Sequence, residues 1–374
     1  MTEKRCTCDH CSAEKYDPAA YKVSDDEIQQ LNRTRPFGIS GHMVAKNEAL
    51  TIKESVESVL PALDELIITY QTSRDRTEEI LQRLQQEYPD KLRVFHYKPY
   101  LPPYGRLADR EESNRYPEGS IHNPANYYNF GLVKHRFAYY MKVDGDQVYF
   151  TDKLQKIKDE LHRIYHQPHW KKGKLIMQFC RKCYWLHYFL SKYAHIQFFS
   201  LESRLNRTLL SMAYGSEVGF TLAGLNLTLQ RGRLSIGTDP LDYNGGVGDT
   251  AIVQVNSQRT YHWSKKDLYE YFRLPKKLTP IGFCWLHFNY IKIAMDGQFR
   301  NRPGKAVPLS ECRDLSAKNL LKKASEAGKN KRNQVRTKLL THFWEQDKQY
   351  IPDLPELTQK VKRFLKEHSQ KFKK

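Results

Sequence analysis

Apolar residues with two different periods alternate along the segment from Phe37 to Tyr97. Short continuous apolar runs are typical of buried strands, whereas apolar residues spaced three and four apart are typical of helices. In order, the pattern predicts a strand at 37–45, a helix at 49–60, a strand at 63–69, a helix at 78–88 and a strand at 92–97. Neighbouring parallel strands need a crossover connection, which these helices can supply. The segment therefore predicts the beginning of a parallel α/β sheet.

A further apolar and aromatic run, residues 137–143, ends at two aspartates separated by one glycine, Asp144 and Asp146. Side chains at i and i+2 of a strand share a face, and ligands of open α/β sheets bind beyond the carboxyl ends of the strands. Two carboxylates suit Mg²⁺ or Mn²⁺, and an ion with so few protein ligands keeps positions for substrate phosphates. Asp-Gly-Asp is also common in turns, so a polar loop is the alternative.

Several short motifs follow one another between Phe37 and Phe150. They are Lys46-Asn47-Glu48, the strand Asp64-Glu-Leu-Ile-Ile68, Ser73-Arg-Asp75-Arg-Thr77, Asn129-Phe-Gly-Leu132 and Asp144-Gly-Asp146. Their order and approximate spacing resemble family 2 glycosyltransferases with the GT-A fold. The resemblance implies a Rossmann-like mixed α/β fold with a mostly parallel central sheet flanked by helices. It also implies metal-dependent, inverting transfer of a sugar from a nucleoside diphosphate to a glycan or glycolipid.

The resemblance carries over to individual residues. Those expected to bind the donor are Lys46, Asn47, Glu48, Asp75, Asn129 and Asp144, and those expected to hold Mn²⁺ or Mg²⁺ are Asp144 and Asp146. Two positions depart from the family pattern. Tyr70 stands where an aspartate usually closes the second strand, and Arg76 replaces the glycine of Ser-Thr-Asp-Gly-Thr. Tyr70 is therefore a candidate to stack on the nucleobase instead.

An inverting transferase needs a base that takes the proton of the attacking hydroxyl. Three glycines lie within five residues before Asp249, and they let the backbone come close to a ligand. Several GT-A families present their catalytic base on such a loop, so Asp249 is the first candidate for the base. The other candidates are Asp239 and Asp242 in the same loop and Glu217 outside it. A histidine after this loop is a metal ligand in some GT-A enzymes, which makes His262 a candidate; an ordinary half-buried histidine is the alternative.

Three thiols and an imidazole lie close together near the N-terminus. They are Cys6, Cys8, His10 and Cys11, and they are candidates for a structural Zn²⁺ site. Residues 174–185 alternate between apolar and polar side chains, which predicts a strand carrying Cys180 and Cys183, and this second pair would complete the site. The alternative is a mobile tail with incidental cysteines.

The formal net charge is +19, and the C-terminal part is strongly basic. From Arg313 to Lys374 the sequence has 17 Lys and Arg against 7 Asp and Glu, which gives +10. Such charge attracts polyanions, which include nucleic acid, anionic lipid and a phosphorylated glycolipid. Helices predicted at 315–327 and 354–372 would either lie on a membrane surface or pack back on the domain. We therefore expect a polar lead-in at 1–35, a GT-A domain at 36–300 with donor half 36–150 and acceptor half 151–300, and a basic helical extension at 301–374.

No apolar stretch approaches the roughly 18 residues of a membrane span, and the first residues lack the apolar core of a signal peptide. We expect a cytoplasmic enzyme, peripheral on the inner face of the plasma membrane, in bacterial surface polysaccharide or lipopolysaccharide synthesis. No specific nucleic acid partner is expected. The alternative function is a basic nucleic-acid-binding protein with a nucleotide-binding α/β core, since its tyrosines are suited to stacking on bases.

Overall fold

The computed structural model describes residues 16–105, 109–166, 178–179, 182–183, 186, 190, 218–230, 233–237, 243–244, 250–275, 277–288, 291, 306–319 and 343–367. Its helices are α1 Asp25–Gln29, α2 Ile52–Val59, α3 Thr77–Glu87, α4 Arg110–Ser113, α5 Pro124–Leu132, α6 Thr151–Tyr165, α7 Leu309–Cys312 and α8 Pro355–Glu367. Short 3-10 helices cover Pro18–Tyr21, Gln30–Asn32, Leu60–Ala62 and Lys348–Tyr350.

The strands are β1 Ile39–Ala45, β2 Glu65–Tyr70, β3 Leu92–His96, β4 Tyr139–Asp144, β5 Gln147–Tyr149, β6 Val218–Gln230, β7 Arg233–Gly237, β8 Tyr243–Asn244, β9 Ala251–Gln254, β10 Tyr261–Ser264, β11 Tyr269–Phe272, β12 Lys277–His287 and β13 Ala306–Pro308. The chain divides into two compact units. Unit 1 comprises 1–49, 63–144 and 253–276, and unit 2 comprises 50–62, 145–252 and 277–374.

Unit 1 contains a parallel sheet in the order β3-β2-β1-β4. In this order the chain adds strands first on one side of β1 and then on the other, so the direction of winding reverses between β1 and β4. The crevice beyond the carboxyl ends of the strands at such a reversal is where open α/β sheets bind ligands. Residues 46–48 follow β1, and Asp144 is the last residue of β4, in register with Val44. The mixed, mostly parallel α/β fold is therefore confirmed.

Local sequence patterns explain the elements of unit 1. The middle of β2, Leu66 to Ile68, is fully buried, as expected of a central parallel strand with helices on both faces. Helix α5 starts at Pro124, where the missing N–H group is harmless because the first N–H groups of a helix have no partner within the helix. The side chain of Asn123 caps the helix by accepting a hydrogen bond from the Ala125 N–H at 2.9 Å. These signals fix the helix that precedes β4.

Unit 2 is built around the long strand β6. Strand β12 runs parallel to β6, strands β7 and β8 run antiparallel to it, β13 pairs with β7, and β5 pairs with β12. Gly224 of β6 lies against the indole of Trp285 on β12, and a Cβ at this glycine would come 1.6 Å from the ring. The absence of a side chain at position 224 therefore makes room for a fully buried tryptophan.

The C-terminal helix α8 belongs to the core of unit 2. Its residues Leu357 and Val361 are 1% and 0% exposed and pack in one apolar cluster with Phe283 and Trp344. Lys360 on the same helix pairs with Glu54 of α2 at 3.1 Å. Of the two arrangements expected for the predicted helix at 354–372, packing against the domain is the one observed for its described residues.

One strand prediction is wrong where the structure describes the chain. The segment 174–185 was expected to be a strand, but residues 178–179 and 182–183 are helical. The apolar residues Phe179, Cys183, Leu186 and Leu190 are spaced four, three and four apart, which is the helical period. The shorter alternation within 174–185 hid this pattern. None of the described helices is long and apolar enough to cross a membrane.

Candidate functional site

Two loops at the carboxyl ends of β1 and β2 are hydrogen-bonded together. The Asn47 N–H donates to the Ser73 hydroxyl at 3.0 Å, and the Arg74 N–H donates to the Asn47 side chain at 2.8 Å. Asn47 has a φ of 56°, a left-handed conformation that asparagine tolerates better than most residues. The side chain of Asn47, a predicted donor ligand, therefore holds the neighbouring loop in place.

Asp75 organises the second of these loops. Its carboxylate accepts hydrogen bonds from the Ala49 N–H at 3.0 Å, the Thr77 N–H at 3.0 Å and the Thr77 hydroxyl at 2.5 Å. The Thr77 hydroxyl oxygen also accepts from the Glu48 N–H at 2.8 Å. The Ser-x-Asp-x-Thr motif thus fixes the chain that follows β1. Direct contact of Glu48 or Asp75 with a sugar-nucleotide donor stays a prediction.

Two cations lie at the same edge of the sheet. Lys46 follows β1, and its pKa is lowered by burial and by the nearby positive charge of Arg74. Neither Lys46 nor Arg74 forms an ion pair with any residue that the structure describes. Two like charges held close together repel, and an anion between them would relieve the repulsion. This pair is therefore suited to bind an anionic group.

Tyr70 closes β2, and its aromatic ring is already stacked. The ring lies parallel to that of His96 on β3, with centroids 4.6 Å apart and an interplanar angle of 9°. The hydroxyl donates to Glu78 at 2.7 Å, and burial, reinforced by Glu78, raises the pKa of Tyr70. Only 6% of the residue is exposed. The proposed stacking of Tyr70 on a nucleobase stays a prediction, but one face of the ring is occupied by His96.

The Asn-x-Gly-Leu motif on α5 has a structural explanation. The Asn129 carboxamide donates to the Tyr261 carbonyl and accepts from the Tyr261 N–H, both at 2.9 Å, so it joins α5 to β10. Gly131 faces His42 of β1, and a Cβ there would come 2.0 Å from Nε2 of the ring. The glycine lets the helix lie close to the sheet, and a donor contact of Asn129 would have to coexist with its two main-chain hydrogen bonds.

Asp144 is half-buried at the end of β4. Its carboxylate lies 3.2 Å from the Lys142 ammonium, two residues earlier on the same strand. The i, i+2 spacing places both side chains on one face of the strand. The carboxylate is thereby anchored within unit 1 at the predicted donor end.

Asp146 lies in unit 2 beside a histidine that sequence reasoning missed. Nε2 of His287 is 3.2 Å from the Asp146 carboxylate, and both side chains are mostly buried. The main-chain carbonyl of Asp146 accepts from the Phe288 N–H at 2.9 Å, and the antiparallel pairing of β5 with β12 places His287 opposite Gln147. The sequence signal was a histidine at the end of the apolar run Phe283-Cys-Trp-Leu286.

Carboxylate oxygen and imidazole nitrogen are together suited to Mn²⁺. The Asp146 and His287 pair therefore fits a divalent ion that takes its remaining ligands from phosphate and water. Within the described ranges no group of three or more His, Cys, Asp or Glu residues forms a metal site. His262, the histidine chosen from the sequence, has its Nδ1 2.7 Å from Glu118 and its Nε2 3.2 Å from the Thr260 hydroxyl. Its role as a metal ligand stays a prediction.

Several predicted site residues lie outside the described residues. They are the candidate bases Asp249, Asp239, Asp242 and Glu217, and the candidate zinc ligands Cys6, Cys8, His10, Cys11 and Cys180. Cys183 is described, with a half-buried free thiol. The zinc site thus remains a prediction.

Residues 23–186 match the model of the family described as Beta-1,4-N-acetylgalactosaminyltransferase (CgtA). The match covers 164 of the 374 residues, and over this region the chain is similar to a glycosyltransferase family. The matched region includes every motif from Lys46 to Asp146. No curated protein matches the chain.

Two solved structures are similar to this one. Staphylococcus aureus TarS 1–349 has 10% sequence identity and a TM-score of 0.33, and the match covers 83% of this chain and 72% of TarS. Mycobacterium tuberculosis glucosyl-3-phosphoglycerate synthase, solved with Mn²⁺, uridine diphosphate and phosphoglyceric acid, has 19% identity and a TM-score of 0.20. That match covers 33% of this chain and 38% of the synthase, so it spans well under half of the synthase's length.

Proposed function

We propose that this chain is a glycosyltransferase that moves a sugar from a nucleoside diphosphate to a glycan or glycolipid, with a divalent metal and with inversion at the anomeric carbon. The observation that carries the proposal is the aspartate motif at the end of β4, with Asp146 against His287 at 3.2 Å. Asp146 and His287 would hold Mn²⁺ or Mg²⁺, with Asp144 two residues earlier in the chain. When bound, the metal ion neutralises charge on the leaving diphosphate.

The family description suggests which donor to test first. It names a β-1,4-N-acetylgalactosaminyltransferase, and the matching donor is uridine-diphosphate N-acetylgalactosamine. The sugar of this nucleotide is α-linked, so formation of a β-linkage requires inversion. In unit 1, Lys46 and Arg74 would bind the diphosphate, since they lie at the edge where parallel sheets bind ligands and neither forms an ion pair with a residue that the structure describes.

The proposed biological setting is bacterial surface polysaccharide or lipopolysaccharide synthesis at the cytoplasmic face of the membrane. Peripheral association with the membrane rests on the C-terminal charge alone, because the buried residues Leu357 and Val361 of α8 lie in the core of unit 2. No contact in the described part of the chain favours the alternative of a nucleic-acid-binding protein.

The test compares Asp146→Ala and His287→Ala with wild type. We expect uridine diphosphate with Mn²⁺ to raise the melting temperature of wild type, because a ligand that binds only the native state stabilises it. Both variants should lose most of the Mn²⁺-dependent part of this shift and most of their transfer from the N-acetylgalactosamine nucleotide. His162→Ala on α6 is the matched control, since this histidine is exposed. Full transfer by folded Asp146→Ala would refute the proposal.

A further inference from the structure

The β10–β11 hairpin of unit 1 has two faces of different character. Tyr261 and Trp263 on β10 face the interior and are 2% and 7% exposed. Tyr269 and Tyr271 on β11 are 46% and 43% exposed, and alternation along the strand places both rings on its outer face. Among the described residues four large hydrophobic side chains are exposed, and these two are neighbours on one strand. The outer face of the hairpin therefore presents a pair of aromatic rings to solvent.

A third ring completes this outer face. In the antiparallel register His262 lies opposite Tyr271, and Ser264 lies opposite Tyr269. The ring centroids of His262 and Tyr271 are 5.6 Å apart, with an interplanar angle of 33°. The hydroxyl of neither tyrosine has a hydrogen-bond partner among the described residues. We refer to Tyr269, Tyr271 and His262 as the aromatic platform.

The platform is held in place by the insertion at residues 98–123. The carboxylate of Glu118 lies 2.7 Å from Nδ1 of His262 and accepts a hydrogen bond from the Trp263 N–H at 3.1 Å. The indole N–H of Trp263 donates to the side chain of Asn114 at 3.0 Å. A surface that is fixed before its ligand arrives loses less conformational entropy on binding. The hairpin is therefore suited to recognition and not only to covering the core.

The insertion also gives the platform its place relative to the sheet. Residues 98–123 connect the carboxyl end of β3 to Pro124, the first residue of α5, and α5 then leads back to the amino end of β4. Both ends of the insertion thus lie at the edge where parallel strands bind ligands. The hairpin itself is tied to α5, because the Asn129 carboxamide makes two hydrogen bonds with the main chain of Tyr261. The platform is therefore attached to segments that begin at the ligand-binding edge.

The charge around the platform indicates an uncharged ligand. Residues 260–273 contain three Lys or Arg residues against two Asp or Glu residues, and Glu118 brings the sum to zero. The whole chain has a formal net charge of +19, so this balance sets the hairpin apart from the rest of the protein. A polyanion such as nucleic acid or an anionic membrane is attracted by an excess of positive charge. The platform offers no such excess.

The size of the platform indicates a small ligand. Residues two apart on a strand are separated by about 7 Å, and neighbouring strands lie about 4.8 Å apart. A stable protein interface needs about 800 Å² from each partner, which is many times the area of these three rings. The dimensions match one or two pyranose rings. A pyranose has a face of C–H groups that can lie flat on an aromatic ring and a rim of hydroxyl groups that need polar partners.

We propose that the aromatic platform binds an uncharged pyranose of the acceptor glycan, which stacks on Tyr269 and Tyr271. The assignment rests on the proposed function, in which the acceptor is a glycan or glycolipid. Binding sites for small ligands combine apolar rings with a few polar groups that fix orientation. The polar groups at this face are the Ser264 hydroxyl, the free tyrosine hydroxyls and the Glu118 carboxylate, whose side chain is 47% exposed and can accept further hydrogen bonds.

The first experiment compares two double variants, Tyr269→Leu with Tyr271→Leu and Tyr269→Phe with Tyr271→Phe. Both replace the tyrosines by apolar side chains, but only phenylalanine keeps a flat ring. The probe is an array of immobilised neutral glycans with their sulfated forms alongside. Wild type and the Phe variant should bind neutral glycans alike, whereas the Leu variant should bind about tenfold more weakly, as expected after loss of two stacking contacts. Lys265→Ala, in the exposed turn of the same hairpin, is the control.

The second experiment separates acceptor binding from donor binding. In the Leu variant the KM for the acceptor should rise about tenfold, while kcat and the KM for the donor stay within about twofold of wild type, because the donor contacts are intact. Circular dichroism checks that each variant is folded. A third measurement needs no variant: tetranitromethane nitrates exposed tyrosines, and a bound neutral glycan should protect Tyr269 and Tyr271 of wild type, as read by mass spectrometry.

The outcomes are distinct. Equal glycan binding by wild type and the folded Leu variant, absence of any bound neutral glycan, or unprotected tyrosines would overturn the assignment. Binding confined to sulfated glycans would also overturn it, as would a dimer in sedimentation velocity that the Leu variant abolishes. If wild type binds neutral glycans through the two tyrosines but neither binds uridine diphosphate with Mn²⁺ nor transfers a sugar, the proposed function fails and the glycan-binding platform stands.

Discussion

Replacement of His135 should make the stability of the protein less sensitive to acid. His135 is fully buried in unit 1, and neither nitrogen of its ring has a hydrogen-bond partner among the described residues. Its neighbours are the rings of His42, 5.9 Å away, and Tyr140, 5.1 Å away, together with the charges of Arg35 and Arg93. Burial, helped by the two arginines, lowers the pKa of His135 from 6.5 to about 3.

The sign of the pH effect follows from this shift. The native state keeps His135 neutral down to about pH 3, whereas the unfolded chain takes up a proton near the ordinary value of 6.5. The unfolded state therefore gains stability as the pH falls below about 6.5. One pKa unit corresponds to about 1.4 kcal/mol, so the protein should lose about 2 kcal/mol between pH 7.5 and pH 5 through this group.

The measurement is urea-induced unfolding at several pH values, followed by far-UV circular dichroism. His135→Leu removes the titrating group and fills the site with a side chain of similar size. Between pH 7.5 and pH 5 the variant should lose about 2 kcal/mol less than wild type, whatever its stability at neutral pH. Burial also lowers the pKa of His42. His42 is present in both proteins, so its contribution to the pH dependence cancels in the comparison. His162→Leu on the exposed face of α6 is the control, and equal losses in wild type and His135→Leu would refute the reasoning.

Two further substitutions test the packing of each unit. Gly131→Ala places a Cβ 2.0 Å from Nε2 of the buried His42 ring and should destabilise unit 1 by about 1–3 kcal/mol in urea, as overpacked cores do; a change below about 0.5 kcal/mol would contradict this. In unit 2, Lys153 and Asp347 form a buried ion pair at 2.5 Å, so Asp347→Leu should remove about 3–5 kcal/mol by leaving the ammonium unpaired. The double variant Lys153→Met with Asp347→Leu should recover most of that loss, and a double variant no more stable than the single one would exclude this explanation.

The strands and helices between residues 37 and 97 could be predicted because each has a clear local period. Helix α2 is an example, since Ile52, Val56 and Val59 repeat at four and three and are all 0% exposed. The end of β4 at Asp144 was predicted for the same reason, from an apolar run that stops at a charged residue. Local periodicity thus accounts for the parallel sheet of unit 1.

What the sequence did not reveal depends on pairings between distant segments. His287 meets Asp146 because β12 pairs with β5, and no local pattern indicates that pairing. Tyr70 was a candidate for stacking on a nucleobase, but the register of β2 with β3 places it directly beside His96. Side-chain partners across strands decide which polar residues remain accessible to a ligand.

The departures from the family pattern affect how the donor is expected to be held. The aspartate that usually closes the second strand is Tyr70 here, so one negative charge is missing from this edge of the sheet. Lys46 and Arg74 lie at the same edge without an ion-pair partner in the part of the chain that the structure describes. Fewer anions and more cations both raise the positive potential at the site. We therefore expect the diphosphate to contribute more to donor affinity than the nucleobase does, because the groups available at this edge recognise charge.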